Sequence, residues 1–222
     1  MFFAAFTGQK ERTPENTGNA YQVAIQLVDA TYNACNKYSE MAEIAFTPAD
    51  ATRLEKQGKR AIYIGMENGF PIGTDIKRVK EFYTRGVRYI TLCHSLNNDI
   101  CDSSTDKKGS EHNGLSKFGE EVVKEMNKCG MMIDVSHISD KSFYDVIKLS
   151  KAPVIASHSS VRAIANHNRN MTDDMIKALA KNGGVIQICL LDDYIKEADT
   201  TSLNYQKKKE LSHIYDTKFD SM

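Results

Sequence analysis

Six short apolar runs recur along the chain, at Phe2–Phe6, Ala61–Met66, Val87–Leu92, Met131–Val135, Pro153–Ala156 and Val185–Leu190, and helix-length stretches separate them. Strands spaced in this way cannot pair as hairpins, so they must lie parallel in one sheet with helices packed on it. That restricts the chain to α/β architectures, and two remain: an open doubly wound sheet, or most of a (β/α)8 TIM-type barrel. A doubly wound dinucleotide fold carries Gly-x-Gly-x-x-Gly after its first strand, and a phosphate-binding loop carries Gly-x-x-x-x-Gly-Lys-Ser/Thr. Neither motif occurs in this chain.

The polar residues favour the barrel. Glu67, His94, His137 and His158 each follow a different run, and the carboxyl ends of barrel strands are where residues distant in sequence converge. With a period of two, His137 shares a face with Val135 and Ile133, and His158 with Ala156 and Val154. Imidazoles beside a carboxylate suit zinc, which in catalytic sites takes three protein ligands and keeps one position open. Taken singly, each residue also reads as a hydrogen-bonded rim group, Glu67 as an acid paired with Arg, and Asn68-Gly69 as a tight turn. Asp134 fits either a support for a histidine or an outward structural acid. His112 and His167 fall in polar loops and His213 in a charged tail, where solvation is expected. Cys93 points away from its neighbour His94, so the two make no nucleophile pair, and Ser159 and Ser160 read as caps of the next turn.

Local signals set the helices. Thr13-Pro14 and Thr47-Pro48 place a capping hydroxyl before a first-turn proline, and Ser116, Ser139 and Thr172 are further N-cap candidates. A helix over Thr13–Tyr38 is expected to bury Val23, Leu27, Ala30 and Ala34, and a second over about Pro48–Gln57 to end at Gly58 in the left-handed region. From Ser95 to Leu115 the sequence is polar and aperiodic, a long loop of the kind that carries function. After Leu191 it is charged, without a strand. No linker interrupts it, so residues 1–222 read as one domain.

Composition excludes several roles. Lys plus Arg and Asp plus Glu both number 29, so no net field favours nucleic acid or an anionic membrane. No apolar run approaches the ~20 residues of a transmembrane helix. Five cysteines without a Cys-x-x-Cys pair argue against a disulfide framework. The opening Met1-Phe2-Phe3-Ala4-Ala5-Phe6 reads as a strand rather than a secretory leader, which predicts missing upstream sequence and leaves localisation open.

Longer motifs carry a resemblance. Gly65-Met66-Glu67-Asn68-Gly69, Arg88-Tyr89-Ile90-Thr91-Leu92-Cys93-His94-Ser95, Gly114-Leu115-Ser116-Lys117-Phe118-Gly119, Ile133-Asp134-Val135-Ser136-His137-Ile138-Ser139, Ala152-Pro153-Val154-Ile155-Ala156-Ser157-His158-Ser159-Ser160 and Asn168-Arg169-Asn170 occur in this order. With them the sequence, from Phe2 to about Tyr194, resembles the membrane (renal) dipeptidase family of zinc peptidases. The resemblance implies a (β/α)8 barrel with two zinc ions, Glu67 bridging both and His137 and His158 ligating one. It makes His94 the residue that contacts the scissile group and steadies the oxyanion, Arg169 the grip on a dipeptide's terminal carboxylate, and Tyr194 a looser substrate contact. In such a site a metal-held hydroxide attacks the peptide carbonyl.

Two family motifs have no counterpart here. One is a His-x-Asp at the end of the first barrel strand; the other is a Gly-x-Asp-aromatic-Asp-Gly near the last. Asp216 and Asp220 lack those glycines and receive no role. Six βα units of eight, in a fold that typically needs ~250 residues, predict a barrel truncated at both ends. Glu67, His137 and His158 would then form a half-site for one zinc with little turnover. Zinc-dependent dipeptide hydrolysis stands as the first expectation, with a catalytically impaired metal-binding remnant or another amidohydrolase-type amide hydrolase as alternatives. Two unclosed strand edges predict a homo-oligomer.

Overall fold

The computed structural model describes residues 1–197 and 199–219. Its strands are β1 (Phe2–Phe6), β2 (Ala42–Ile44), β3 (Arg60–Glu67), β4 (Val87–Thr91), β5 (Met132–Asp134), β6 (Ile155–Ser159) and β7 (Val185–Ile188). All pair in parallel, in the order β1-β3-β4-β5-β6-β7, while β2 joins the first half of β3 from Ala42↔Arg60 to Ile44↔Ile62. Along the main path each strand lies beside the next, so the winding never reverses as it does at the switch point of a doubly wound sheet. β1 and β7 do not pair with each other among the described residues, which leaves an open α/β sheet in an incomplete TIM-barrel-like arrangement.

The helices are α1 (Pro14–Lys37), α2 (Pro48–Lys56), α3 (Lys77–Thr84), α4 (Lys117–Cys129), α5 (Asp140–Leu149), α6 (Asp173–Asn182), α7 (Asp192–Ile195) and α8 (Leu203–Phe219). Their starts follow the expected caps. The hydroxyls of Thr13, Ser116, Ser139 and Thr172 accept from the N–H groups of Asn16, Gly119, Ser142 and Met175. Thr47 and Asp50 form a reciprocal capping box on α2, and Gly58 has φ +71°. α4 enters so close to the 95–115 loop that a Cβ on Gly119 would overlap the Ile100 carbonyl oxygen.

The core lies between sheet and helices and includes Ile62, Ile64 and Met66 of β3, Ile90 of β4, Ile133 of β5, and Phe82, Val122, Phe143 and Leu179 from the helices. The buried face of α1 differs from expectation: Ala20, Ala24, Val28 and Cys35 face inward, while Val23 and Leu27 are 45% and 37% exposed and Ala30 and Ala34 are also exposed. Apolar residues recur at helical spacing on two overlapping faces, and the face of smaller side chains is the one that packs toward β1 and the turn at Phe70–Ile72. β2 went unanticipated because Ala-Glu-Ile has neither the length nor the pattern of a strand. Both outer strands expose apolar side chains, Phe2, Phe3 and Phe6 on β1 and Val185 and Ile188 on β7.

Candidate metal centre

Four consecutive strands of the main path bring the polar groups together. Glu67 is the last residue of β3, His94 lies just past β4, His137 three residues past β5, and His158 within β6. Glu67 Oε1 is 3.3 Å from His137 Nε2, 3.3 Å from His158 Nε2 and 3.7 Å from His94 Nε2. The Nε2 atoms of His137 and His158 are 2.8 Å apart, and the rings of His94 and His137 lie 4.2 Å apart.

One expectation about direction needs correction, and one strand end differs. β5 ends at Asp134, so strand period does not orient His137; its backbone turns into the left-handed region at φ +72° and delivers the ring by a bend. That conformation is unfavourable for a residue with a Cβ, and such residues concentrate at functional sites. His158 belongs to its strand, which runs on to Ser159 instead of ending at Ala156. The bend after β3 uses Asn68 at φ +81°, with its side chain donating to the Thr7 carbonyl and accepting from Phe70 N–H.

Electrostatics favour bare donor atoms. The close approach of His137 and His158 holds the Glu67 carboxyl far below the usual carboxylate range, against the opposing effect of burial. Burial pushes His137 down to about 4, although Glu67 pulls the other way, so its imidazole is neutral at pH 7. Burial lowers His94 too, again opposed by Glu67. One ligand atom each from Glu67, His94 and His137 lies within 4.8 Å of the others, which defines a single three-residue candidate metal cluster among the described residues. This trio differs from the expected ligands Glu67, His137 and His158, although His158 approaches as closely. A carboxylate converging with imidazole nitrogens fits a divalent metal ion.

The groups behind this cluster are long-range. Asp134, fully buried, accepts from the Thr91 hydroxyl at 2.5 Å, from the N–H groups of Ser136 and Ser157, and from the Ser157 hydroxyl at 2.6 Å. It is therefore an inward support and not an outward acid. Sequence reasoning missed Ser136, Ser157 and Thr91; the one available signal was a serine directly before two of the histidines.

Arg169, 5% exposed, donates from Nη2 to the His158 carbonyl at 3.0 Å, while its buried Nε has no partner. No carboxylate lies within 4 Å of it among the described residues, and burial lowers its pKa. The Tyr194 ring, on α7, stands 5.6 Å from the guanidinium carbon. His167 and His112 are partly buried instead of solvated. The first accepts from Arg169 N–H and packs on Tyr194, and Nε2 of the second lies 2.8 Å from the Asn98 carbonyl. The side chains of His213, Asp216 and Asp220 lie outside the described residues.

A sheet wound in one direction, with imidazoles and a carboxylate meeting at the carboxyl ends of its strands, is the arrangement of a candidate metal centre on a barrel-like α/β sheet. The chain belongs to the membrane dipeptidase family (peptidase family M19), whose family model matches residues 1–217. It is 37% identical over 223 residues to Dipeptidase verJ of Clonostachys rogersoniana, covering 97% of this chain and 56% of that protein. It is 38% identical over 176 residues to Dipeptidase 3 of Macaca fascicularis, covering 77% and 35%. Among solved structures, the probable dipeptidase PvdM from Pseudomonas aeruginosa superposes with a TM-score of 0.79 at 32% identity, over 83% of this chain and 47% of that one. The chain thus spans about half the length of the relatives it matches, or less.

Proposed function

We propose that this chain carries the metal half-site of a zinc-dependent dipeptidase, with Glu67, His137 and His158 holding one zinc ion. The observation that carries the reading is the convergence of Glu67 Oε1 with the Nε2 atoms of His137 and His158, all within 3.3 Å of one another. When bound, zinc supplies Lewis-acid polarisation of a peptide carbonyl and lowers the pKa of water. A second zinc per complete family site follows from the resemblance alone, and this chain offers one cluster among its described residues.

The protein's own groups divide the remaining work. Glu67 lies between the histidines as a carboxylate and would hold the metal together with them. His94, packed on His137 and 3.7 Å from Glu67, is placed to donate a hydrogen bond to a carbonyl oxygen that gains charge. Arg169 is buried without a counter-ion among the described residues, and a free peptide carboxylate is a partner that would fill its fork. Tyr194 beside it would close the substrate pocket. A dipeptide, held at its carboxylate and at its scissile carbonyl, is the substrate these contacts suit.

Elemental analysis after dialysis tests the reading. About one zinc per chain is expected, as for a site with three protein ligands, and it should be lost with His158→Ala. Slow release of free amino acids from dipeptides should accompany it. A chain that binds no zinc refutes the reading, and turnover undiminished from that of full-length relatives refutes the half-site.

A further inference from the structure

We propose that Ser157 is a positioning residue that holds His158 in the Nδ1–H tautomer and so aims a bare Nε2 at Glu67 and His137. The inference deepens the zinc reading above and rests on it for its purpose, though its geometry stands independently. Ser157 Oγ lies 2.6 Å from Asp134 Oδ2 and 2.7 Å from His158 Nδ1. A hydroxyl has one proton. Asp134 already accepts from Thr91 and from two backbone N–H groups, so it serves as the acceptor for the Ser157 hydroxyl as well. The other contact of Ser157, to Ser136 Oγ, is long at 3.5 Å. With its proton given to Asp134, Ser157 can only accept from the imidazole, and His158 must carry its hydrogen on Nδ1.

The neighbouring ring agrees. In the metal-free chain, with His158 Nε2 bare, its 2.8 Å contact with His137 Nε2 requires the hydrogen on the His137 side, a hydrogen that zinc binding would displace. His137 Nδ1 is then a lone pair with no hydrogen to place, and it is a buried nitrogen without a partner. The opposite assignment would leave an N–H of His137 buried and unsatisfied, the more costly state. Of the three histidines only His158 is backed by a hydroxyl that is itself fixed by a carboxylate. His94 Nδ1 meets Ser95 Oγ at 3.0 Å, but that contact is exposed and has no second anchor.

The test uses Ser157→Ala, which removes the hydroxyl and keeps the Ser157 N–H bond to Asp134, with Ser157→Thr as the rescue. Long-range 1H–15N spectra of the metal-free chain distinguish a protonated ring nitrogen from a bare one. The parent and the Thr variant should show His158 protonated on Nδ1, and the Ala variant a mixture. Chelator competition should give zinc affinity lower by about ten- to hundred-fold in the Ala variant and recovered with Thr. His158 protonated on Nε2 in the parent, or a pattern that Ser157→Ala leaves unchanged, overturns the proposal, as does a shifted tautomer with unchanged zinc affinity. If the tautomer shifts but the parent binds no zinc, the relay stands and the zinc reading of the site fails.

Discussion

Removal of the Asp102 carboxylate should loosen the 95–115 loop and with it the site. Asp102, 1% exposed, accepts four hydrogen bonds: from the Ser110 hydroxyl at 2.6 Å and from the N–H groups of Glu111, His112 and Gly114, each at 2.9 Å. Its own carbonyl accepts from Ser139 N–H and the Ser142 hydroxyl, and the adjoining residues reach the histidines, Ser103 Oγ to the His94 carbonyl and Ser104 N–H to the His137 carbonyl. In Asp102→Ala the Gly114 N–H is buried without a partner, at ~2–3 kcal/mol, while water can reach the other three donors and limit their loss to ~0.5 kcal/mol each. The expected destabilisation is about 4 kcal/mol. Asp102→Asn keeps an oxygen for Glu111 and His112 but turns an NH2 toward the Gly114 N–H, and should cost about 2 kcal/mol. At ~2–4 °C per kcal/mol for a chain of this size, melting should fall by roughly 8–16 °C and 4–8 °C respectively, with faster amide exchange at Glu111, His112 and Gly114. Burial alone would raise the Asp102 carboxyl, but the four donors outweigh it and hold it below its ordinary value. A depressed folded pKa means that this stabilisation is present above the ordinary carboxylate range and lost as pH falls through the folded value. A melting point for Asp102→Ala within ~3 °C of the parent, or an Asn variant no more stable than Ala, would refute the account.

Two further outcomes follow from other parts of the fold. A Cβ on Gly65 would overlap the buried Tyr89 ring on the adjacent strand, so Gly65→Ala should cost about 1–3 kcal/mol, read by urea denaturation; a neutral result would show that Tyr89 has room to move. Zinc at about 100 times its dissociation constant should add ~2.7 kcal/mol to the folded state, seen as a higher melting point that a chelator reverses. No shift with zinc would count against the half-site.

The outline of this fold was legible because each main-path strand is a local apolar run and each helix cap a local hydroxyl. Thr13, Ser116, Ser139 and Thr172 cap as expected since a cap needs only the next few residues. The same holds for the candidate site: Glu67, His94, His137 and His158 each close a run, and the strand order brings those ends together. What escaped depends on partners far along the chain. Asp134 meets Thr91 across 43 positions and Ser157 across 23, and no periodic pattern links such residues. α1 was misread for a related reason, because its two apolar faces are equivalent in isolation and only the packed neighbours distinguish them. The left-handed backbone at His137 likewise has no sufficient signature in the residue type, since histidine adopts it more often than most residues but still in a small minority of cases.

The position of the site within the sheet separates its integrity from the state of the sheet's edges. Glu67, His94, His137 and His158 come from β3 to β6, each of which has a strand on either side, whereas β1 and β7 have one neighbour apiece among the described residues. The outer strands show Phe2, Phe3, Phe6, Val185 and Ile188 at 41–56% exposure, next to backbone groups free to pair with another chain. Edges of this kind invite association, and a lysine on the edge opposes it. Val185 pairs with Ile155 at the end of β6 away from His158. Val185→Lys should therefore shift the chain from oligomer to monomer in sedimentation velocity, with stability within ~0.5 kcal/mol of the parent, as for an exposed position, and zinc affinity unchanged. A parent that sediments as a monomer refutes edge association. A Val185→Lys chain that loses zinc refutes the separation, since it would mean that His158 depends on β7 for its place.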